Sequence, residues 1–408
     1  MNRTELRFAL RMLPFLDAHA QCPAGVLELR PPPQPRLLIW HPDEIERLFR
    51  ADAGLGHPGS RSFRPLMGPK SLLWQDGVRH SDYRRVLGTS LRGRKLAGYR
   101  DLIAGTVHAA IDALPRGTEF GVADWTRRVA LQVMARITLG RADDAVLAPF
   151  AAWMDRALGS RHRTLAYRYL KGTLPLPAAG LERMLVTAAR AAARENPATL
   201  AGQLLAPGSP FADIDDAELR DQIVSLLFAG HETTASTAAW ALFWILRSDS
   251  LRERVFAEAR SSDGFAADEV PVLQAVVQET LRITPPVPAA GNRALAGDCP
   301  HAAGTVVTPS IYLAHHRAES FADPYTFDVG RFLDGRRVPA HRFFPFGGGV
   351  RHCLGSQLGQ AEVRLIVAAM TRRRELVCVN PRAGVAQVRG HAMAPSPKLR
   401  MKVVSCRD

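Results

Sequence analysis

Residues 221–247, DQIVSLLFAGHETTASTAAWALFWILR, are apolar almost all the way round a helix. Such a helix has no face for water, so it belongs inside a large protein or inside lipid. Its length would suit a membrane, but Gly230, His231, Glu232, Thr233 and Thr234 interrupt its middle, and an unpaired carboxylate away from water is expensive. The segment therefore has to be enclosed by the rest of the chain. The sequence has 408 residues, 47% hydrophobic and 23% charged, which is enough to build that enclosure. A buried Glu232 is kept either for an ion pair or for chemistry. Gly230 weakens the helix at the same place, which predicts a local distortion that opens a groove. HETTA also begins like a zinc-protease helix, but its fifth residue is Ala235. The second histidine ligand is missing, and the zinc reading fails.

Helical spacing of apolar residues also runs over 78–115, 120–159, 178–206 and 216–248. Strand-like stretches are short: VLELR from 26, RLLIW from 36, TVVTPSIYL from 305 and LRMKVV from 399. The expected fold class is mainly α with small β-sheets (α+β) at the edges. No linker, repeat or low-complexity run divides the chain, so residues 1–408 are expected to form one domain. RPPPQPR, at 30–36, reads as a rigid turn. Residues 1–20 are amphipathic, with Arg3, Arg7 and Arg11 among the apolar positions. They form no membrane span and read as a helix packed on the body of the protein.

The formal net charge is +14, and of the 53 basic residues only five are lysine, leaving 48 arginines. They are spread along the chain with no aromatic interleaving, which argues against a nucleic-acid partner and leaves open a basic face for an acidic protein. The five cysteines, Cys22, Cys299, Cys353, Cys378 and Cys406, form no CxxC pair. That argues against a structural metal and a disulfide framework. With no signal peptide, a cytoplasmic location is expected.

One cysteine stands in special company. FPFGGGVRHCLG, residues 344–355, surrounds Cys353 with Gly347, Gly348, Gly349 and Gly355. Glycines let the backbone come close to another group, so the feature this loop offers is the sulfur. In VVQETLRITPPVP, Glu279 and Arg282 lie at i and i+3 on one helix face, and prolines end that helix sharply. Apolar neighbours mark the pair as buried and structural.

Together these residues resemble the cytochromes P450, the haem-thiolate monooxygenases, in their soluble bacterial form. Four motifs follow the family's order from about residue 70 to 362. Phe346, Gly349, Arg351, Cys353 and Gly355 match the cysteine-loop pattern F-x-x-G-x-R-x-C-x-G. The resemblance implies haem b, with the Cys353 thiolate as the iron ligand. A thiolate pushes electron density toward the iron and favours O–O cleavage. Phe346 would shield the sulfur, Gly347 would lie by the cofactor, and Arg351 would meet a propionate. AGHETT, from Ala229 to Thr234, matches the oxygen-binding groove. Ala229 and Gly230 would lie over the haem, and Glu232 and Thr233 would be the acid–alcohol pair that relays protons to dioxygen. Glu279, Arg282 and Arg331 match the family's structural triad, with Gly330 where glutamate is usual. In GVRHSDYRR, His80 and Arg84 match propionate ligands, as does Arg293. Gly359 stands where alanine is commoner, and HHRAES replaces an arginine–aspartate–proline turn.

The function so implied is insertion of one oxygen atom from O2 into a C–H or C=C bond of a small organic substrate. Secondary metabolism of terpenoids, polyketides or peptides is the expected setting. No dinucleotide fingerprint is present, so electrons must come from a separate ferredoxin or flavodoxin with its reductase. Arg79, Arg85, Arg336, Arg337 and Arg342 are the candidate docking face. The rivals are a peroxygenase using hydrogen peroxide and a silent haem-binding partner or sensor; the cysteine and the acid–alcohol pair argue against both. The substrate pocket is expected from 55–73, 150–180, Ala229 and Thr233, Val287, Ala289 and Ala290, and the turn near His391 and Met393.

Overall fold

The structure, a computed structural model, describes residues 2–59, 63–159, 162, 179–297, 301–333, 337–390 and 392–407. The apolar segment forms the central helix, Asp216–Ile245, opened by the Asp215 carboxylate, which accepts from the Glu218 N–H. From Glu218 to Ile245 it is buried except at Ala229, Gly230, Thr233 and Trp244. The interruption seen in the sequence is thus where its surface is left open. The helix runs unbroken through Gly230, contrary to the expected distortion. A Cβ at Gly230 would come 2.5 Å from Met134 Sδ on the helix Val122–Leu139. Gly230 serves close approach of two helices, and its missing side chain is the reason it can.

The other long helical stretches are broken. Residues 78–115 become Gly77–Gly88, Gly93–Ala97 and Arg100–Asp112. Residues 120–159 become Val122–Leu139 and Asp144–Leu158, the second begun by an Asp143 cap on the Ala145 N–H. Residues 178–206 become Ala179–Glu195 and Leu200–Leu204, the second capped by Thr199. Cap residues stop and restart helices that apolar spacing alone runs together.

A four-stranded sheet has the order β1 (Val26–Arg30), β2 (Arg36–Ile39), β5 (Val306–Pro309), β4 (Arg293–Ala294), with only the β2–β5 pair parallel. Its register pairs Val26 with Ile39 and Arg36 with Val306. The strand expected over 305–313 ends at Pro309, because Ser310 caps the short helix Ile311–His315 by accepting from the Leu313 N–H. A second sheet orders β3 (Glu119–Gly121), β9 (Arg400–Cys406), β6 (Arg374–Cys378), and β7 (Ala386–Arg389) pairs with β8 (Ala392–Pro395). Phe8, Phe15 and Leu16 of the first two helices, Arg3–Leu10 and Met12–Asp17, are buried with Trp40, Ile45 and Leu313. The amphipathic amino terminus is packed on the body, as its pattern suggests.

Candidate active site

The cysteine loop folds back on itself, with the Cys353 N–H donating to the Phe346 carbonyl at 2.9 Å. Gly349 sits at φ +64°, and a Cβ there would lie 2.2 Å from Asp52 Oδ2. This glycine therefore serves both a left-handed turn and room for a carboxylate. Past Gly355 the chain enters the helix Ser356–Arg373. The loop, the central helix and the helix Gly77–Gly88 together enclose a cavity of about 500 Å³, within the usual range for cofactor and ligand sites. Cys353 lines it, as do Phe346, Gly347 and Gly355 from the loop and Ala229, Gly230 and Thr233 from the central helix. The accessible surface of Cys353 faces this interior, and burial pushes its thiol up against the opposing pull of the Gly355 N–H and the Arg84 charge.

His80, Arg84, Arg293 and Arg351 reach the same cavity from three separate elements. Burial, then the charges of Arg351 and Arg84, bring His80 down to about 4, so it is neutral at physiological pH. Arg84 makes no hydrogen bond or ion pair among the described residues, although about half-buried. Arg293 is buried and donates from Nε to Asp52 Oδ1 at 2.8 Å and from Nη2 to the Gly348 carbonyl at 3.1 Å. Arg351 donates from Nη2 to Asp76 and to the Gln75 carbonyl, while its buried Nε has no partner among the described residues.

The acid–alcohol pair is split between two faces of the helix. Thr233 lines the cavity, and its hydroxyl donates to the Ala229 carbonyl at 2.8 Å. Glu232, one residue earlier and about 100° round the helix, points elsewhere and is buried. Its Oε1 lies 3.4 Å from His231 Nε2 and 3.2 Å from Arg389 Nη2, and Arg389 also bonds Asp155. Burial would raise its carboxyl, but the hydrogen bond and charge of His231 and the charges of Arg389 and Arg127 outweigh it and hold Glu232 well below the usual carboxylate range.

Glu279 and Arg282 are fully buried and bidentate, with both contacts at 2.7 Å. Arg331 Nε lies 3.4 Å from Glu279 Oε1. Arg282 also donates to the carbonyls of His315, Pro324 and Thr326. The triad thus ties a helix to the segment that leads into the cysteine loop.

Val287 and Ala290 line the cavity, but two residues expected there do not. Ala289 packs with the amino-terminal cluster and pairs with Ser310. Met393 is buried in that cluster, and its carbonyl accepts from Ser236 Oγ at 2.5 Å. Both are withdrawn by strand pairing, which spacing within 287–290 or 391–393 does not reveal. From 55–73 the cavity takes His57, Gly59, Phe63, Leu72 and Leu73. The cationic stretch 160–172, apart from His162, and His391, Cys299 and Arg336 lie outside the described residues. Arg79 is less available for docking than expected, because it pairs with the buried Glu218 and stacks over Phe211.

Sequence reasoning missed Asp52, His57 and Glu362. Asp52 and His57 are buried beside Arg293, and no motif marks them. Glu362 lines the cavity with both carboxylate oxygens unpartnered among the described residues, and burial pushes its carboxyl well above the usual range. An acidic residue at an apolar position of the helix Ser356–Arg373 was the available signal.

A cytochrome P450 family model matches residues 191–400. The chain belongs to the cytochrome P450 family. A putative cytochrome P450 135B1 of Mycobacterium tuberculosis is 31% identical over 391 residues, covering 90% of this chain and 82% of that one. The cyclooctat-9-en-7-ol 5-monooxygenase of Streptomyces melanosporofaciens is 29% identical over 399 residues, covering 91% and 85%. Among solved structures, the retinoic acid-bound cyanobacterial CYP120A1 superimposes with a TM-score of 0.85 at 24% identity, covering 98% of this P450 and 96% of its own chain. This P450 is a monooxygenase, and its family implies a haem cofactor. Its residues fit that group. A sulfur faces the cavity, a Cβ at Gly347 or Gly355 would meet nothing within 4 Å, and Arg84 and the Arg351 Nε stand there without partners among the described residues. No described helix is long and apolar enough to cross a membrane.

Proposed function

We propose that this P450, acting as one catalytic domain over 1–408, holds haem b through Cys353 and oxygenates a small, largely apolar product of secondary metabolism. The observation that carries the reading is one cavity shared by Cys353, the basic groups and Thr233. When bound, the haem supplies the activation of dioxygen that leads to insertion of one oxygen atom. Arg84, Arg293 and Arg351 would pair with its propionates, and Phe346 would keep water from the sulfur. The proton of Thr233 Oγ1 is held by the Ala229 carbonyl, which leaves the oxygen's lone pairs to accept a hydrogen bond from water. Glu232, ionised and paired with Arg389, is set to accept a proton and hand it on, provided Arg389 releases it. Apolar walls from Phe63, Leu73, Trp74, Phe228 and Val287 suit a terpenoid or polyketide better than a charged substrate, and the Streptomyces relative is named a cyclooctat-9-en-7-ol 5-monooxygenase.

A separate ferredoxin or flavodoxin with its reductase supplies electrons in this reading, in the cytoplasm. Arg85, Arg337 and Arg342 remain the basic residues for docking it. The decisive experiment is the spectrum of the reduced carbon-monoxide complex. Wild type should show the red-shifted thiolate band, and Cys353→Ser should lose it along with product formation. Retention of that band in the serine variant would remove Cys353 as the ligand. Soret shifts across a panel of terpenoids and polyketides then find the substrate, and a panel that shifts only with charged compounds would overturn the apolar assignment.

A further inference from the structure

Two carboxylates stand where the P450 needs cations. Asp52, 1% exposed, accepts from Arg293 Nε at 2.8 Å and from the Arg351 N–H at 3.4 Å. Asp76 accepts from Arg351 Nη2. Asp76 is the N-cap residue of Gly77–Gly88, yet its side chain makes no cap bond. That forgoes about 1 kcal/mol of helix stability, and the carboxylate turns to His57 and Arg351. His57 lies between the two acids. Its Nδ1 is 2.7 Å from Asp76 Oδ1, its Nε2 is 3.3 Å from Asp52 Oδ1, and its backbone N–H donates to Asp76 Oδ2 at 3.2 Å. It is buried and lines the cavity. A carboxylate only accepts, and a histidine donates from both nitrogens only as the imidazolium.

Charge balance gives this arrangement a purpose. Arg84, Arg293 and Arg351 are three cations, and His80 is neutral. Two haem propionates added to Asp52 and Asp76 make four anions. Three guanidiniums cannot neutralise four carboxylates in a partly buried site, and an unbalanced buried charge is costly. A fourth cation between the two acids closes the count. We propose that His57, held as an imidazolium between Asp52 and Asp76, is a cofactor-positioning residue that keeps these carboxylates from drawing Arg293 and Arg351 away from the haem propionates.

The groups facing His57 are Asp52, Asp76, His80, Arg293 and Arg351. Burial would raise Asp52, but hydrogen bonds and charges from His57 and Arg293 hold it at about 2, and Asp76 is also lowered by His57 and Arg351. With His80 near 4 and neutral, His57 is the histidine of this cluster that faces a carboxylate with each ring nitrogen.

The inference rests on the haem reading, and transfer of haem from the loaded protein to apomyoglobin tests it separately. If wild type never shows a haem-thiolate band, the haem reading fails. With the band present, His57→Gln should lose haem on the order of tenfold faster near neutral pH, the usual scale for groups behind a cofactor's direct contacts. Wild-type loss should quicken as pH rises, while the glutamine variant stays flat. Adding Asp76→Asn to His57→Gln removes the unbalanced charge and should slow loss again, which a purely structural defect would not do. Should His57→Gln fail to fold, Asp76→Asn alone is the test, since that side chain is 49% exposed. It should hold haem at least as tightly at high pH and flatten the profile. Equal rates and equal pH profiles in wild type and His57→Gln, no rescue, or faster loss in Asp76→Asn would each overturn the proposal.

Discussion

Glu279→Ala should nearly abolish haem-loaded protein, and the structure sets the size of the effect. The substitution removes both 2.7 Å contacts to Arg282, the 3.4 Å contact to Arg331 and the acceptor for the Asp328 N–H. Arg282 stays where it is, because three backbone carbonyls hold it. It is then a fully buried guanidinium with no counter-charge, and breaking such a pair from one side costs ~3–5 kcal/mol. Native stability is only ~5–15 kcal/mol in total. Unfolding entropy of ~2.1 cal/mol/K per residue over 408 residues is about 0.9 kcal/mol/K, so the loss appears as ~4–6 °C in the unfolding midpoint. Glu279→Gln keeps the shape and one acceptor, so it should fall between wild type and alanine. Arg331→Ala, at 3.4 Å and 14% exposed, should cost least. The assay is near-UV circular dichroism melting together with the haem-to-protein ratio. A Glu279→Gln protein within ~1 °C of wild type and fully loaded would refute the reasoning, as would Arg331→Ala being the worse variant.

Thr233→Ala should still bind haem and substrate but uncouple electron use from product, releasing more peroxide; equal product per cofactor consumed, measured beside wild type, would remove this hydroxyl from the reaction. Glu362 carries a raised carboxyl pKa because it is buried: the unfolded chain gives up this proton above ~4.3, the folded one retains it, and stability is therefore lost as pH rises toward the folded value. Glu362→Gln has no such proton, so in urea titrations it should exceed wild type at about pH 8 and lose that advantage at about pH 4; a pH-independent gap would contradict this. Gly230→Ala should cost ~1–3 kcal/mol by overpacking against Met134, despite the ~1 kcal/mol gained in helix propensity, and the same substitution made in a Met134→Ala background should cost markedly less if the clash is the cause.

What the amino-acid sequence determined by itself was chemistry carried by neighbours along the chain. The cysteine loop spans 12 residues from Phe344 to Gly355, and the Glu279–Arg282 pair is one helical turn. The central helix declared its burial by lacking a polar face. In each case the decisive residues sit within a turn or a loop of each other, so local geometry already sets their relation.

The tertiary structure decided what depends on distant segments meeting. Asp52 and Arg293 are 241 positions apart, and Glu232 and Arg389 are 157 apart. Nothing local to Asp52 tells that a glycine at 349 leaves space for its carboxylate. Nor does the HETTA stretch tell that Glu232 turns to an arginine of β7 while Thr233 turns to the cavity, because adjacent helix positions diverge by about 100° and the partners outside set which face is which. Ala289 and Met393 were misplaced for the same reason: pairing with Ser310 and packing against Ser236 draw them off the cavity. Spacing reports periodicity along one element, whereas burial and charge balance are sums over everything that packs around it.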